Sequence, residues 1–210
     1  MTDSILVLGA GGHGKVVADC AMRCGLVVAG FVDDSARPGV HVLGIPVIGP
    51  MAELPRLRAA AGGVMVAIGD GAKRVDLIDL SREIGFRTPT IIDPSATVSR
   101  FATVDDGTVV LAQAAVNAGA QLGLGVIVNT GATVDHDCIV GDGAHLSPGA
   151  HLAGSVRIGR FSWIGIGSSV KQGTAIGSNA VIGAGAAVVA DVGDGVTVVG
   201  VPARPRKRRT

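Results

Sequence analysis

Residues 128–155 read VNTGATVDHDCIVGDGAHLSPGAHLAGS, and an aliphatic residue recurs in this stretch at every sixth position. The recurrence extends from Val98 to Val188, where sixteen successive sixth positions are all Val, Leu or Ile. A period of six fits neither an α-helix nor a sheet of ordinary hairpins, and it is typical of a parallel β-helix built from hexapeptides. The pattern predicts a triangular prism with three hexapeptides in each coil and coils stacked about 4.8 Å apart.

The composition agrees with a narrow interior. The chain of 210 residues is 48% hydrophobic but only 2% aromatic, and it contains 33 glycines and no tyrosine. Aromatic rings normally supply much of the bulk of a core, whereas the axis of a hexapeptide prism accepts Val, Ile, Leu and Ala. Prisms of this kind are wound left-handed, against the usual right-handed crossover preference. The period alone does not give the hand.

A different pattern occupies the first 90 residues, where apolar runs alternate with helical spacing. This alternation predicts a small parallel α/β sheet. The predicted strands are Ile5–Leu8, Val27–Val32, Ile45–Ile48 and Val64–Ile68, and the predicted helices are Lys15–Cys24 and Ala72–Ile84. We therefore predict an α/β, half-Rossmann-like N-terminal domain over residues 1–90 and a left-handed parallel β-helix over 91–192. A C-terminal strand and basic tail follow over 193–210.

Charge and hydropathy exclude several functional classes. The net charge of +1 gives no general field for nucleic acid binding, and the basic run 204–209 is interpreted as a solvated end. No apolar run approaches the ~18 residues of a membrane helix, so no membrane insertion is expected. The N-terminus lacks the basic region of a signal peptide. Three cysteines, an odd number, favour a reducing cytoplasm over a disulfide framework.

The segment GAGGHGK, residues 9–15, matches a dinucleotide-binding turn and also most of a P-loop. A P-loop requires Ser or Thr after its lysine, and Val16 stands there. A dinucleotide fold needs about twice this βα length. Half of such a fold still binds one nucleotide, with backbone N–H groups at a helix N-terminus against a diphosphate. The residues predicted to bind this substrate are Gly11, Gly12, His13 and Gly14, with Asp33 or Asp34 for the base or ribose and Gly69 and Asp70 at the same sheet edge.

Within the prism, His136 follows the inward-pointing Val134 by two positions and therefore lies at or beyond a corner. One coil later the same position is Gly154, so the imidazole has an open shelf beside it. It is either a surface histidine or a general base that Asp137 or Asp135 orients. A zinc site of His136, Cys138 and His145 is a further alternative, but the spacing differs from that of the gamma carbonic anhydrases, and no metal is expected.

The opening GAGGHGK, the strand end FVDD, the segment NTGATVDHDCIVGDGAHLSPGAHLAG and the closing GVPARP together resemble one family. It is the family of sugar O- and N-acyltransferases typified by the sialic acid O-acetyltransferase and the bacterial N-acetyltransferases of nucleotide-linked 4-amino sugars. The resemblance implies a cytoplasmic homotrimer with sites between adjacent prisms. It also implies transfer of acetyl from acetyl-CoA to the amino group of a UDP- or GDP-linked dideoxy amino sugar, such as a bacillosamine precursor or perosamine, for surface glycans such as O-antigen.

The resemblance also implies roles for individual residues. His136 matches the catalytic base and Asp137 its acidic partner, where some relatives have Glu. Asn129 matches a residue near the sugar, and His145 one near the acetyl-CoA thioester. The positions that match the CoA groove are Gly154, Ile166 and Ala184. The alternative functions are a sugar O-acetyltransferase of the sialic acid type and a zinc-dependent hydratase of the gamma carbonic anhydrase type.

Overall fold

The computed structural model describes residues 4–37 and 39–206, and its first part is a five-stranded sheet with two helices. The strand order is β3 (His41–Val42), β4 (Ile45–Gly49), β2 (Val27–Val32), β1 (Ser4–Leu8) and β5 (Gly63–Val66), with β3 antiparallel at one edge and the other four strands parallel. The predicted alternation of strand and helix is confirmed. The elements are β1 (Ser4–Leu8), α1 (Gly12–Arg23), β2 (Val27–Val32), β3 (His41–Val42), β4 (Ile45–Gly49), a 3-10 helix (Met51–Ala59), β5 (Gly63–Val66) and α2 (Gly71–Glu83).

Two details of this sheet differ from the sequence prediction. Helix α1 begins at Gly12, three residues before the predicted Lys15, because the glycines that close the turn also form its first helical turn. The short β3 hairpin strand and the 3-10 helix were not predicted, since neither has the length or periodicity of a regular element.

After the N-terminal domain, the described chain forms the predicted prism, in which short strands repeat at six-residue intervals and form three faces. Face 1 contains β7 (Thr97–Val98), β10 (Ala115–Val116), β13 (Thr133–Val134), β16 (His151–Leu152), β19 (Ser169–Val170) and β22 (Ala187–Val188). Face 2 contains β8 (Thr103–Val104), β11 (Gln121–Leu122), β14 (Ile139–Val140), β17 (Arg157–Ile158) and β20 (Ala175–Ile176). Face 3 contains β6 (Ile91–Ile92), β9 (Val109–Val110), β12 (Ile127–Val128), β15 (His145–Leu146), β18 (Trp163–Ile164), β21 (Val181–Ile182), β23 (Thr197–Val199) and the antiparallel β24 (Arg204–Pro205).

The register of the prism follows the sequence period. Ala115 pairs with Thr97 below it and Thr133 above it, so each coil contains 18 residues. The second residue of each strand points to the axis and is buried from Val110 to Val188, whereas Val98 and Val104 at the open first coil are only partly buried. The prism is a left-handed β-helix, and the predicted fold class is confirmed.

The N-terminal domain packs against face 3. Ile91, Val109 and Ile127 point outward from this face and share one hydrophobic cluster with Val7 and Phe31 of the sheet. Face 3 is therefore covered at its first coils, while faces 1 and 2 are not.

The described ranges contain no helix with the length and apolar character needed to cross a membrane. Of the basic run, Arg204 and Arg206 are exposed, and residues 207–210 lie outside the described part of the chain.

Candidate active site

His136 lies in the turn that leads from face 1 to face 2, and its side chain is 60% exposed. The Nδ1 atom of its ring is 2.9 Å from Oδ2 of Asp137. This hydrogen bond, together with the charge of Asp135, raises the pKa of His136 above its ordinary value. Because the carboxylate accepts the proton on Nδ1, the Nε2 atom of the neutral ring is left as a base.

The two candidate carboxylates have different contacts. Asp137 contacts the imidazole, whereas Asp135 accepts hydrogen bonds from the backbone N–H of His136 and from Asn117 Nδ2, both at 2.8 Å. Asp137 has a φ of +59°, a left-handed conformation that Asp and Asn adopt more readily than most residues. The backbone itself therefore turns this carboxylate toward the ring.

The position beside His136 in the next coil is Gly154, as predicted, and the ring is in close contact with it. A Cβ atom built on Gly154 would lie 2.5 Å from Cε1 and 3.1 Å from Cδ2 of His136. The imidazole therefore lies directly against the glycine of the next coil. Only a residue without a side chain leaves the ring in this position.

A second group of polar side chains lies on face 3, beneath the N-terminal domain. His145 is 8% exposed, its ring is 4.2 Å from that of Trp163 and 6.1 Å from that of His13. Its Nε2 atom lies 3.1 Å from Nδ2 of Asn129, whose Oδ1 already accepts the N–H of Thr130. The amide therefore donates, and the proton of the neutral His145 ring is on Nδ1.

Burial keeps both histidines of this group neutral. It lowers the pKa of His13 to about 4 and that of His145 to about 3, with a smaller contribution from neighbouring charge. His13 Nε2 and His145 Nδ1 are buried and have no hydrogen-bond partner among the described residues. Buried polar atoms are rarely left unpaired in folded proteins, so these two atoms mark a polar region suited to a ligand.

The glycine-rich loop has the form expected of a phosphate site. Helix α1 has Gly11 as its N-cap, with no side-chain cap and no acidic residue in its first turn. A Cβ on Gly14 would overlap the Gly9 carbonyl, so this glycine is needed for the turn. Gly11 and Gly12 have open space where a Cβ would be, so the fold does not require glycine there. Their small size instead leaves the helix N-terminus open to an anion.

The acidic residues at this edge are largely engaged by the backbone. Asp33 accepts hydrogen bonds from the N–H groups of Ala10, Ser35 and Ala36. Although burial opposes its ionisation, these bonds hold the pKa of Asp33 below its usual range. Asp34 is exposed and accepts only the N–H of Met51 among the described residues.

The residues after β5 have mainly structural contacts. Asp70 caps helix α2 through the N–H of Lys73. Gly69 faces the ring of Trp163, with 3.7 Å between the ring and a Cβ built on the glycine.

The residues matched to the CoA groove are divided between two corners. Gly154 lies at the corner of faces 1 and 2, beside His136. Ile166 and Ala184 lie one coil apart at the corner of faces 3 and 1, and Ile166 is 56% exposed. The two corners bound the two edges of face 1.

Within one chain, the His136 group and the His145 group are on opposite sides of the prism. The corner that carries His136 is opposite face 3, and one side of the prism spans roughly 15–20 Å at the rise of a strand. The packed core lies between them. A single chain therefore does not bring its own exposed imidazole to its own glycine-rich loop.

Two residues of this region were not predicted from the sequence. Trp163 packs on His145, and Arg74 is fully buried between the N-terminal domain and the prism. The burial of Arg74 could have been inferred from the sequence, because this residue lies on the same helix face of α2 as the buried Val75, Ile78 and Ser81. An arginine on the buried face of a helix is unusual.

Residues 4–37 and 39–206 contain no group of three or more His, Cys, Asp and Glu side chains arranged to hold a metal ion. Cys138, one member of the alternative zinc site, is buried in the prism core.

Residues 4–80 match the model of the PglD N-terminal domain, and residues 155–190 match the model of the bacterial transferase hexapeptide, six repeats. Among curated proteins, none matches the chain.

Several solved structures are similar to this chain over 96–98% of its length. A mutant of perosamine N-acetyltransferase from Caulobacter crescentus, in complex with CoA and GDP-perosamine, is 40% identical with a TM-score of 0.94, over 97% of both chains. The acetyltransferase domain of PglB from Neisseria gonorrhoeae FA1090, in complex with acetyl coenzyme A, is 45% identical with a TM-score of 0.92, over 98% of this chain and 100% of that one. WeeI from Acinetobacter baumannii AYE is 26% identical with a TM-score of 0.79, over 96% and 99%.

Proposed function

The chain belongs to the family of sugar N- and O-acyltransferases built on a left-handed β-helix, and we propose that it acetylates a nucleotide-linked amino sugar. The acetyl group comes from acetyl-CoA, and the acceptor is the amino group, at C4, of a UDP- or GDP-linked dideoxy sugar. Support comes from the structure that is 40% identical and contains CoA with GDP-perosamine, and from the one that is 45% identical and contains acetyl coenzyme A. The product is a precursor of surface glycan such as O-antigen.

The single observation that carries this proposal is the exposed pair of His136 and Asp137 beside Gly154. Acyl transfer to an amine requires a base that takes the amine proton as the C–N bond forms. Nε2 of the neutral His136 ring is unprotonated and lies against Gly154, and the side chain as a whole is 60% exposed. The carboxylate of Asp137 orients the ring and stabilises the imidazolium that results.

In the reaction, the amine nitrogen attacks the thioester carbonyl and His136 accepts its proton. The tetrahedral intermediate then collapses, the C–S bond breaks, and the proton passes to the departing thiolate of CoA. The candidate donors to the oxyanion are a backbone N–H group and the neutral His145, whose buried Nδ1–H would have to be uncovered when acetyl-CoA binds. Loss of one such donor typically costs about 3 kcal/mol.

The nucleotide of the acceptor is assigned to the glycine-rich loop. The open N-terminus of α1 at Gly11 and Gly12 faces the diphosphate, with His13 and Gly14 in the same turn. Asp34 contacts the base or ribose through its remaining oxygen, and Asp33 holds the loop. Gly69, Asp70 and Asn129 border the sugar.

We further propose a homotrimer in which each site uses two subunits. Because His136 is opposite face 3 in its own chain, it must act on a sugar held by the N-terminal domain of a neighbour. The corner with His136 then meets the neighbour's corner with Ile166 and Ala184, and acetyl-CoA lies between Gly154 and these residues. Heterologous contacts close into a ring when the rotation from one subunit to the next closes, which three subunits achieve at 120° in the proposed trimer.

This arrangement turns face 1 toward the threefold axis, since both meeting corners border that face. Its outward residues are exposed or half-buried in the single chain and mostly small, which allows three prisms to approach closely. They are Thr97, Ala115, Thr133, His151, Ser169 and Ala187. We propose the cytoplasm as the location, because the three free cysteines suit a reducing compartment.

The test is release of free thiol from acetyl-CoA with a panel of UDP- and GDP-linked 4-amino sugars, alongside the matching 4-hydroxy sugars. We expect release with an amino sugar, and a large loss of kcat with intact CoA affinity in His136→Ala. Release only with hydroxyl acceptors would favour the O-acetyltransferase instead. Full turnover of His136→Ala would remove this residue from the mechanism.

A further inference from the structure

Arg74 is the largest fully buried side chain of the described residues, with 0% of its surface exposed. It projects from the second turn of α2 into the junction between the N-terminal domain and face 3. Its guanidinium donates five hydrogen bonds, all to backbone carbonyl oxygens. The acceptors are Ile68 at 2.6 Å, Gly69 at 3.0 Å, Gly125 at 2.7 Å, Gly143 at 2.6 Å and Ala144 at 3.4 Å.

These carbonyl groups belong to both halves of the proposed site. Ile68 and Gly69 follow β5, at the sheet edge where the nucleotide sugar is proposed to bind. Gly125 and Gly143 occupy equivalent corner turns of two successive coils, and Ala144 directly precedes His145. The guanidinium of Arg74 therefore connects the sheet edge that is proposed to bind the nucleotide sugar with the strand of His145, which is proposed to lie near the acetyl-CoA thioester.

The surroundings of Arg74 contain no carboxylate bonded to it in the described part of the chain. Burial lowers the pKa of its guanidinium to about 10, which still leaves it charged, and the charge of Asp70 opposes this shift. Burying a charge costs desolvation free energy, and a well-packed apolar residue in its place often stabilises a protein equally well. Its five directed bonds, however, fix geometry in a way that an apolar contact cannot.

The backbone around Arg74 has little freedom to adjust on its own. A Cβ on Gly71, at the start of α2, would overlap the Gly143 carbonyl, so helix and prism are in close contact here. Trp163 closes the other side, between Gly69 and His145. A shift of Arg74 would therefore be transmitted both to the sugar edge and to the His145 strand.

We propose that Arg74 is a positioning residue that sets the separation between the nucleotide-sugar edge of the N-terminal domain and the His145 strand of the prism. The inference rests on the proposed function for the identity of the two ligands. It does not require Arg74 to touch either of them. Because a misplacement of 1 Å costs about 10²-fold in rate, a group that fixes this separation is a direct determinant of turnover.

The test compares Arg74→Lys and Arg74→Gln with the matched control Arg82→Lys. Arg82 lies two turns later on the same helix and also reaches the prism side, through Asp106 at 2.8 Å, but it is 37% exposed and bonds to side chains, Thr88 and Asp106. For each variant, oligomeric mass and thermal unfolding are measured first. Then kcat and the KM of each substrate are measured, together with the affinities for GDP, UDP and CoA.

We expect Arg74→Lys to assemble normally, with the KM of the nucleotide sugar raised about tenfold and kcat lowered 10- to 100-fold. Arg74→Gln should be more impaired, whereas Arg82→Lys should stay within about twofold of wild type. Lowered thermal stability with wild-type kcat and KM in the assembled fraction would overturn the proposal, and so would failure of both Arg74 variants to assemble. If the wild type acetylates no amino sugar, the proposed function fails, while the nucleotide and CoA affinities of the variants still test Arg74.

Discussion

Replacing Gly154 with alanine tests whether turnover depends on the position of the His136 ring. The new Cβ would lie 2.5 Å from Cε1 of His136, whereas ordinary van der Waals contact begins at 3.4 Å. The ring must therefore retreat by at least about 0.9 Å, the difference between these distances. Lengthening its 2.9 Å hydrogen bond to Asp137 by this amount would exceed hydrogen-bond distance, so we expect the substitution to break that bond.

The fold should tolerate this change, because the backbone of Gly154 is outside the left-handed region and the group that must move is an exposed side chain. Replacing glycine at a compatible site even stabilises by about 0.4–1 kcal/mol through the unfolded state. We therefore expect a Tm within about 2–4 °C of wild type. The loss should appear in kcat, by about 10²-fold for a displacement of this size.

The assay is thiol release at saturating acetyl-CoA, combined with an NMR titration of the His136 ring. Loss of the Asp137 hydrogen bond, the largest cause of the raised pKa, should lower the pKa of His136 in the variant. The matched control is Gly193→Ala in the last coil, where the new Cβ would be at an ordinary 3.7 Å from Val196. Unchanged kcat and an unchanged His136 pKa in Gly154→Ala would show that the ring position does not depend on this glycine. A higher KM for acetyl-CoA alone would mean that the methyl group obstructs CoA instead.

Further predictions concern the carboxylate and the glycine loop. Since the base must be neutral, kcat/KM should rise with pH through the pKa of His136. The substitution Asp137→Asn removes the hydrogen bond that raises this pKa, so the rise in kcat/KM should occur at lower pH than in the wild type. The maximal kcat/KM should fall about tenfold. If kcat/KM of Asp137→Asn rose over the same pH range as in the wild type, Asp137 would not be the group that raises the pKa of His136. Gly14→Ala should lower the free energy of unfolding by about 1–3 kcal/mol in a denaturant titration, because its Cβ overlaps the Gly9 carbonyl. Gly12→Ala, with open space at its Cβ, should unfold like wild type but bind GDP and UDP more weakly by calorimetry. Equal effects of these two substitutions on unfolding would contradict the assignment.

The sequence allowed the prism to be predicted almost residue by residue, because each hexapeptide places its own aliphatic residue on the axis. The same counting predicted that His136 is exposed and next to Gly154, since residues 18 apart lie one above the other. Local geometry of this kind depends only on the period. The choice between Asp135 and Asp137 was left open by the spacing and required the left-handed backbone at Asp137.

What the sequence could not provide was the relation between the N-terminal domain and the prism. A repeating period contains no information about which face is covered, so the burial of His145 beneath the N-terminal domain was not apparent. Arg74 was overlooked because a single charged residue in an amphipathic helix is normally solvated. Its burial depends on carbonyl groups from turns 51 and 69 residues away in the chain.

Mixed trimers test directly whether the base of one subunit acts on the sugar bound to its neighbour. Gly12→Asp should abolish diphosphate binding without disturbing the fold, since its side chain has open space and repels the anion. His136→Ala should lack only the base. Each variant alone should be almost inactive, but trimers assembled from an equal mixture should recover about one quarter of wild-type activity, because one interface in four pairs two intact halves. Mixed trimers, verified by mass, that remain as inactive as their parents would show that each chain builds its site alone and would contradict the account.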